Sequence, residues 1–452
     1  MNFRTLYVSA LALFVAAASV GAHAESLRDA LTAAYNNNPT LTSALLATKA
    51  SAEGIVAAKA GKLPTVGLGG SLSHSWTVAG GGMTQGDSAS LGLSFDQTLF
   101  DNGKTDAKVE QARANTESAS QSMRNTEQTL LLSVVQAYMG VIRDTQLVQL
   151  RSDNVKFLQA QVKSAQDRLD IGEGTKLDVS QAQTSLANGE ASYQAALANL
   201  QTSQASYERW VGHKPRGLTQ DFSFKSMLPR SIEEALSRAD QYHPAILAAK
   251  AAIRAAQAGS DAARASFGPT VGLSGSVSTA ESWTDSVGAN AMKGSVGLSL
   301  SLPLYSGGAL GASLRSANLG QVKSEVDAQA TRAQIQEAVV TSWATVQNAV
   351  AQIDAAQQAL NAASLALDAT VQSRDVGQST TLDVLNAQSS VTSAREALIS
   401  ATTTRVIASF SLVSSTGRLS AKDLGLPVRV KSADGYISKV EDVWQDLRAI
   451  PE

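Results

Sequence analysis

Side chains able to do chemistry are few in this chain of 452 residues, and their spacing assembles no catalytic constellation. Of the four histidines, His23 lies at the end of an N-terminal apolar segment, His74 in a run of alternating residues, and His213 and His243 beside turn-forming sequence. No two of them have the H-x-x-x-H spacing that sets a pair of imidazoles on one helix face for zinc. The absence of cysteine excludes disulfides, thiolate metal sites, thiol catalysis and an N-terminal lipid anchor on sulfur. Gly67-Leu68-Gly69-Gly70 precedes no helix, so it is not a nucleotide-phosphate cradle. No enzyme activity, metal or cofactor is expected. Lys and Arg number 37 against 39 Asp and Glu, a net charge of −2, which gives no clustered excess of base for a nucleic-acid partner. Two carboxylates stand out. Asp178 and Asp383 each sit in Leu-Asp-Val just after a glycine-containing turn, a position read as a helix N-cap.

The elements that position them begin with an export signal. Arg4 supplies positive charge, Leu6 to Val20 is apolar, and Ala22-His23-Ala24 is an A-x-A cleavage site, so residues 1–24 read as a signal peptide with Glu25 as the mature start. The run is short of the about 20 residues a transmembrane helix needs. No other long apolar stretch is evident, so membrane insertion is expected to use strands.

A tandem repeat follows at an offset of 205 residues. Pro64-Thr65-Val66-Gly67-Leu68 matches Pro269-Thr270-Val271-Gly272-Leu273, Leu177-Asp178-Val179 matches Leu382-Asp383-Val384, and Gly103, Gly172 and Gly212 match Gly308, Gly377 and Gly417. The expected organisation is repeat one over 25–212, a linker over 213–230, repeat two over 231–425 and a polar tail over 426–452. Each repeat reads as helix, hairpin, long helix, turn and helix. The hairpins cover 65–100 and 270–305, the long helices 104–169 and 309–374, the returning helices 178–210 and 383–415. The first helix is expected to run unbroken from Leu27 to Lys62.

Period-two patterning marks the hairpins. Val66, Leu68, Leu72, Trp76 and Val78 alternate with Thr65, Gly67, Ser71, Ser73 and Thr77, and Leu91, Leu93, Phe95 and Leu99 with Gly92, Ser94 and Asp96. Glycine-rich loops are expected at 79–88 and 284–294. Strands with one apolar and one Gly/Ser face match a membrane barrel, where about 9–11 tilted residues cross the bilayer. Trp76 and Trp283 near one end, and Phe100 and Tyr305 near the other, suit interfacial girdles. The long helix, about 99 Å at about 1.5 Å per residue, matches the first and third helices laid end to end. Four strands cannot close a barrel and an open edge is not viable in lipid. The chain therefore must oligomerise, with two, three or four copies equally allowed by geometry.

These features together resemble the TolC family of outer-membrane efflux and secretion channels. The resemblance rests on the repeat, the two Pro-Thr-Val strand entries, Leu302-Pro303-Leu304-Tyr305-Ser306-Gly307-Gly308, Val376-Gly377, Leu382-Asp383-Val384-Leu385-Asn386 and Gly417, and covers about residues 25–425. It implies a mainly α fold with a membrane β-barrel portion. A homotrimer would build one 12-stranded β-barrel continued by a 12-helix periplasmic α-barrel. It also implies residence in the Gram-negative outer membrane among its lipid. The implied partners are a periplasmic adaptor (membrane fusion) protein and an inner-membrane pump of RND or ABC type, acting in drug efflux or type I protein secretion.

The resemblance further implies a periplasmic gate at Asp383 and Asn386, where the family carries two acids and this chain only one. It implies a latch through Asp178, Arg374 and Ser379, with Arg374 expected to pair with Asp178. The alternative on the residues alone is a non-conducting envelope coiled-coil protein, structural or adhesive.

Overall fold

The computed structural model describes residues 24–220, 227–284, 287–441 and 443. Apart from Ala24, the expected signal peptide lies outside the described residues, as do part of the expected linker and the end of the tail. The helices and strands run in the order α1 Leu27–Asn37, α2 Pro39–Lys59, a 3₁₀ turn Ala60–Lys62, β1 Thr65–Ala79, β2 Gly82–Phe100, α3 Lys104–Asp170 and α4 Lys176–Val211. They continue with α5 Ile232–Tyr242, α6 Pro244–Ala265, β3 Thr270–Thr284, β4 Val287–Ser301, α7 Ala309–Asp375, α8 Thr381–Ser415 and α9 Asp434–Val440.

The first helix is not continuous. Pro39 disfavours helical backbone at the residue before it, and Asn38 is extended at φ −71°, ψ 126°. Asn38 uses the break: its Oδ1 accepts from Thr40 N at 2.9 Å and its Nδ2 donates to the Trp210 carbonyl at 3.1 Å. His243 before Pro244 makes the same break at φ −69°, ψ 121°.

The strands form one antiparallel sheet in the order β1-β2-β3-β4. They are longer than the expected loops allow. Gly80 and Gly81, at φ 61° and 88°, join β1 and β2 in two residues, a turn that needs positive φ at both positions. The second hairpin ends sooner at its base than expected. β4 stops at Ser301, and Leu302-Pro303-Leu304-Tyr305 lies outside the sheet, since Pro303 has no N–H for a ladder.

Two compact units divide the chain, and each draws on both halves of the sequence. Among the described residues, the first comprises 24–41, 126–220, 227–243 and 335–430. Tyr35, Tyr138, Tyr207, Leu130, Leu131 and Val134 are fully buried in it. A second cluster joins Ala235, Ala239, Val339 and Leu412. The second comprises, among the described residues, 42–125, 244–284, 287–334, 431–441 and 443 and holds the sheet. Its helices pack through small side chains such as Ala52, Ala114, Ala251, Ala255 and Ala258. A C-terminal strap lies on it through Tyr436 to Glu53 at 2.5 Å, Lys49 over the Tyr436 ring at 5.2 Å, and Glu441 beside Lys59 and Arg113.

One helix departs from the expectation that no long apolar stretch follows the leader. α8 is long and apolar enough by composition to cross a bilayer, with 39% of that stretch buried inside the protomer. Six of its apolar positions are spent on packing, since Val384, Leu385, Val391, Phe410, Leu412 and Val413 are buried.

His243, at the junction of α5 and α6, is 5% exposed, and burial lowers its pKa from 6.5 to about 4. Between these values the unfolded chain binds the proton first, so stability is lost progressively as pH falls from about 6.5 toward about 4. The thermal unfolding temperature of the purified protein is expected to drop from pH 7 to pH 5. His243→Gln, which has no proton to gain, should flatten that slope; an unchanged slope would place the titrating group elsewhere.

Candidate functional site

Two surfaces are built for work, one in each unit. In the sheet, strand register aligns the apolar positions of all four strands. Leu68 pairs with Leu93, Leu93 with Val277 and Val277 with Gly294; Val66 pairs with Phe95, Phe95 with Gly275 and Gly275 with Val296. Directly opposed residues share a face, so these rows make one apolar surface. The intervening rows are small and polar: Gly67, Ser94, Ser276 and Ser295 form one, with Ser276 and Ser295 hydroxyls 2.9 Å apart. Every residue of β1 is exposed, as are Leu68 at 73% and Leu298 at 70%. β1 and β4 each have one neighbour strand among the described residues.

The aromatic residues fall at the ends of this surface. Trp76 and Trp283 are exposed near the hairpin tips, where Trp76 tilts against the His74 ring with centroids 6.0 Å apart. His74 Nδ1 meets Asp87 Oδ1 at 2.6 Å across the hairpin. Phe100 reaches the apolar face by a register shift: Thr98 pairs with Gly272, but Phe100 pairs with Val271. The bulge thus puts Phe100, not Leu99, in line with the apolar row. Tyr305 is 90% exposed, but beyond the end of β4 rather than within the hairpin.

In the other unit, two helical turns repeat one design. Gly172 and Gly377 adopt φ 82° and 78°, and the N–H groups of Glu173 and Gln378 close back on the Arg168 and Ser373 carbonyls at 2.8 Å each. The next helix then starts with a capping box. The N-caps are Thr175 and Thr380, not the aspartates; Asp178 and Asp383 sit three residues on and accept from the cap. Asp383 Oδ2 takes Thr380 N at 2.8 Å and Thr380 Oγ1 at 2.7 Å. The cap side chain, then the cap backbone, holds the Asp383 carboxyl below the usual carboxylate range. Asp178 is lowered mainly by the Thr175 hydroxyl, against a smaller opposing effect of burial. Both are carboxylates at neutral pH. At the turn tips Ile171, Leu177, Val376 and Leu382 are exposed.

Arg374 does not pair with Asp178. Its Nη1 donates to Gln161 Oε1 at 2.6 Å, and its Nε and Nη2 to Asp375 Oδ1 at 3.1 and 2.8 Å. Asp178 is already engaged by Thr175, with Oδ2 2.6 Å from its hydroxyl. Ser379 is half-buried beside the cap, and Asn386 is exposed at the rim of a groove of about 300 Å3 lined also by Arg151, Asn154 and Gln388. Two further ties join α8 to α3, which sequence reasoning missed. Gln388 Nε2 donates to Asn154 Oδ1 at 3.0 Å, and Arg151 meets Glu396 at 2.5 Å. Their signal is the 3-4 spacing of Arg151, Asn154, Leu158, Gln161 and Ala165 along one face of α3, polar residues interleaved with the buried Leu158 and Ala165. Among the described residues no cluster of His, Asp or Glu is arranged to hold a metal ion.

The family model described as outer membrane efflux protein matches residues 30–213 and 235–418. The outer membrane efflux protein BepC of Brucella suis is 34% identical over 426 residues, 94% of this chain and 92% of that protein. The outer membrane protein TolC of Escherichia coli is 25% identical over 89% of this chain and 84% of its own length. Among solved structures, the Campylobacter jejuni CmeC outer membrane channel superposes with a TM-score of 0.78 at 14% identity, covering 92% of this chain and 89% of that one.

Proposed function

We infer what the chain does from one premise: it belongs to the outer membrane efflux protein family. It is a protein of the Gram-negative outer membrane that reaches into the periplasm, and its activity is to provide an exit channel for efflux or secretion. The finer reading is a homotrimer. The count of three is what membership of the family implies; that copies must join at all is carried by the sheet, four strands whose register gathers one apolar and one Gly/Ser face, with β1 and β4 left as edges. Lipid admits no open edge, so β1 of one copy pairs with β4 of the next, and three copies give 12 strands. The apolar rows face lipid, the Gly/Ser rows line the lumen, and Trp76, Trp283 and Phe100 sit at the interfaces.

The turns form the periplasmic mouth. Three copies of Asp383 ring it with carboxylates that favour cations, while Asn386 leaves a second ring uncharged. Arg374 supports the closed form through Gln161, while Asp178 holds the start of α4 in its capping box and Ser379 flanks the cap of α8. The apolar tips Ile171, Leu177, Val376 and Leu382 receive a periplasmic adaptor protein, which couples the channel to an inner-membrane pump of RND or ABC type. The reading is tested by recovery from the outer-membrane fraction as a heat-modifiable oligomer, and by single-channel recording in a planar bilayer. Discrete cation-preferring conductance is expected. A monomer in detergent that passes no ions would overturn it in favour of a non-conducting envelope coiled coil.

A further inference from the structure

Glu25 is a buried acidic residue directly after the expected cleavage site. Ala24 is exposed, yet Glu25 is only 9% exposed, one residue later. Its backbone is gripped on every side: its N–H donates to the Arg216 carbonyl at 3.1 Å, its carbonyl accepts from Thr219 N at 3.0 Å, and the Tyr138 hydroxyl lies 2.8 Å from both the Glu25 and Thr219 carbonyls. Its carboxylate Oε1 accepts from the Tyr207 hydroxyl at 2.7 Å and lies 3.4 Å from His213 Nε2. Burial, reinforced by that bond to Glu25, holds the Tyr207 phenol protonated far above its ordinary range.

Two atoms in this enclosure are buried without a hydrogen-bond partner: Glu25 Oε2 and Thr219 Oγ1. A buried carboxylate oxygen left unpaired costs free energy that a folded protein normally recovers with a donor or a cation. A second carboxylate, Asp29, stands at the start of α1, tied to Ser26. The enclosure therefore leaves a carboxylate oxygen and a hydroxyl unpaired, and it surrounds one backbone nitrogen.

We propose that this enclosure is a binding site for the chain's own α-ammonium group, created when the signal peptide is cut between Ala24 and Glu25. The proposal rests on the reading of residues 1–24 as a signal peptide. Hydrolysis of that amide adds one water: hydroxyl to the Ala24 carbonyl carbon, hydrogen to the Glu25 nitrogen, which then takes up a further proton. The single N–H becomes three. One keeps the Arg216 carbonyl, and the other two supply Glu25 Oε2 and Thr219 Oγ1. The positive charge offsets the buried carboxylate in a setting where charge-assisted bonds are strong. The new N-terminus thereby clamps the start of α1 to Tyr138 of α3, Tyr207 of α4 and the linker at Arg216 to Thr219, so that export and processing complete the fold.

The test uses the full-length protein purified from outer membranes. Intact mass establishes the first residue, and acetylation of the α-amine is followed on the peptide ending at Arg28. In the native protein the amine is expected to react at least about tenfold slower than in the same protein denatured, because reaction needs local opening. Thr219→Val and an insertion of Gly-Ser between Ala24 and Glu25, which preserves the Ala22-His23-Ala24 cleavage signal, are both expected to restore fast labelling and to lower the melting temperature of the oligomer. A chain that begins at Glu25 and labels at the denatured rate would overturn the clamp alone. A chain that begins at another residue would overturn the cleavage assignment and the clamp together.

Discussion

Leu93→Arg is expected to remove the protein from the outer-membrane fraction, leaving chain that is degraded or aggregated in the periplasm, while Ser94→Arg is expected to assemble. Leu93 lies between Leu68 and Val277 in the apolar row, about midway between the Phe100 and Trp76 ends of the sheet. It is 49% exposed within the protomer, so about half of its surface is left uncovered by the chain itself. An arginine on the lipid face near the bilayer midplane costs about 2–4 kcal/mol. In the proposed trimer, three copies multiply that cost in a single assembly step. Ser94, one residue away, faces the opposite side in the row of Gly67, Ser276 and Ser295. In the proposed barrel an arginine there meets the aqueous lumen, so the oligomer forms and its conductance and ion preference change. The checks are fractionation with heat-modifiable electrophoresis for both variants, and bilayer recording for the second. Normal assembly of Leu93→Arg would show that the apolar rows do not face lipid.

The same pair of residues shows why the sheet was legible in the sequence. Period two is a property of the strand itself, so Leu93 and Ser94 declare their faces before any partner is known. Helix limits were legible for a similar reason. Gly172, Gly377 and Gly212 stand where positive φ ends a helix, and the structure gives φ of 82°, 78° and 97° there. What stayed hidden depends on neighbours or on backbone detail. The bulge that brings Phe100 opposite Val271 is set by pairing with β3, and nothing in Leu99-Phe100 announces it. Asp178 and Asp383 read as caps because aspartate favours that position; Thr175 and Thr380 take it because their backbone is the extended residue before each helix, at φ −116° and −91°, so their hydroxyls accept from the third N–H and the aspartates close the box. The Arg374 expectation failed on competition, since a capped Asp178 has a donor already and Gln161 offers a buried oxygen on the facing helix.

That substitution of partners makes Arg374 the tie whose loss should most affect gating. Its side chain is 11% exposed, and Gln161 is buried at 9%. It fastens the last turn of α7 to α3, while Gln388 to Asn154 and Arg151 to Glu396 fasten α8 to the same helix further along. A hydrogen bond from a charged donor contributes about 1.5–3 kcal/mol when its partners are shielded. If the closed mouth needs α7 held against α3, Arg374→Ala shifts the open-to-closed ratio by roughly 10- to 100-fold per tie lost, since about 1.4 kcal/mol is a factor of ten. The measurement is basal conductance in a planar bilayer, with entry of a bulky antibiotic into cells as its counterpart in vivo; both should rise. Arg374→Lys should not restore closure, because an ammonium lacks the planar fork that serves Gln161 and Asp375 at once. Gln161→Glu should act oppositely, replacing a neutral acceptor with a charged one and lowering conductance below that of the native channel. Asp178→Asn separates this account from a latch through Asp178, because it leaves the Arg374 contacts intact and should leave basal conductance unchanged. Wild-type conductance in Arg374→Ala, or opening in Asp178→Asn alone, would move the latch away from Arg374 and Gln161.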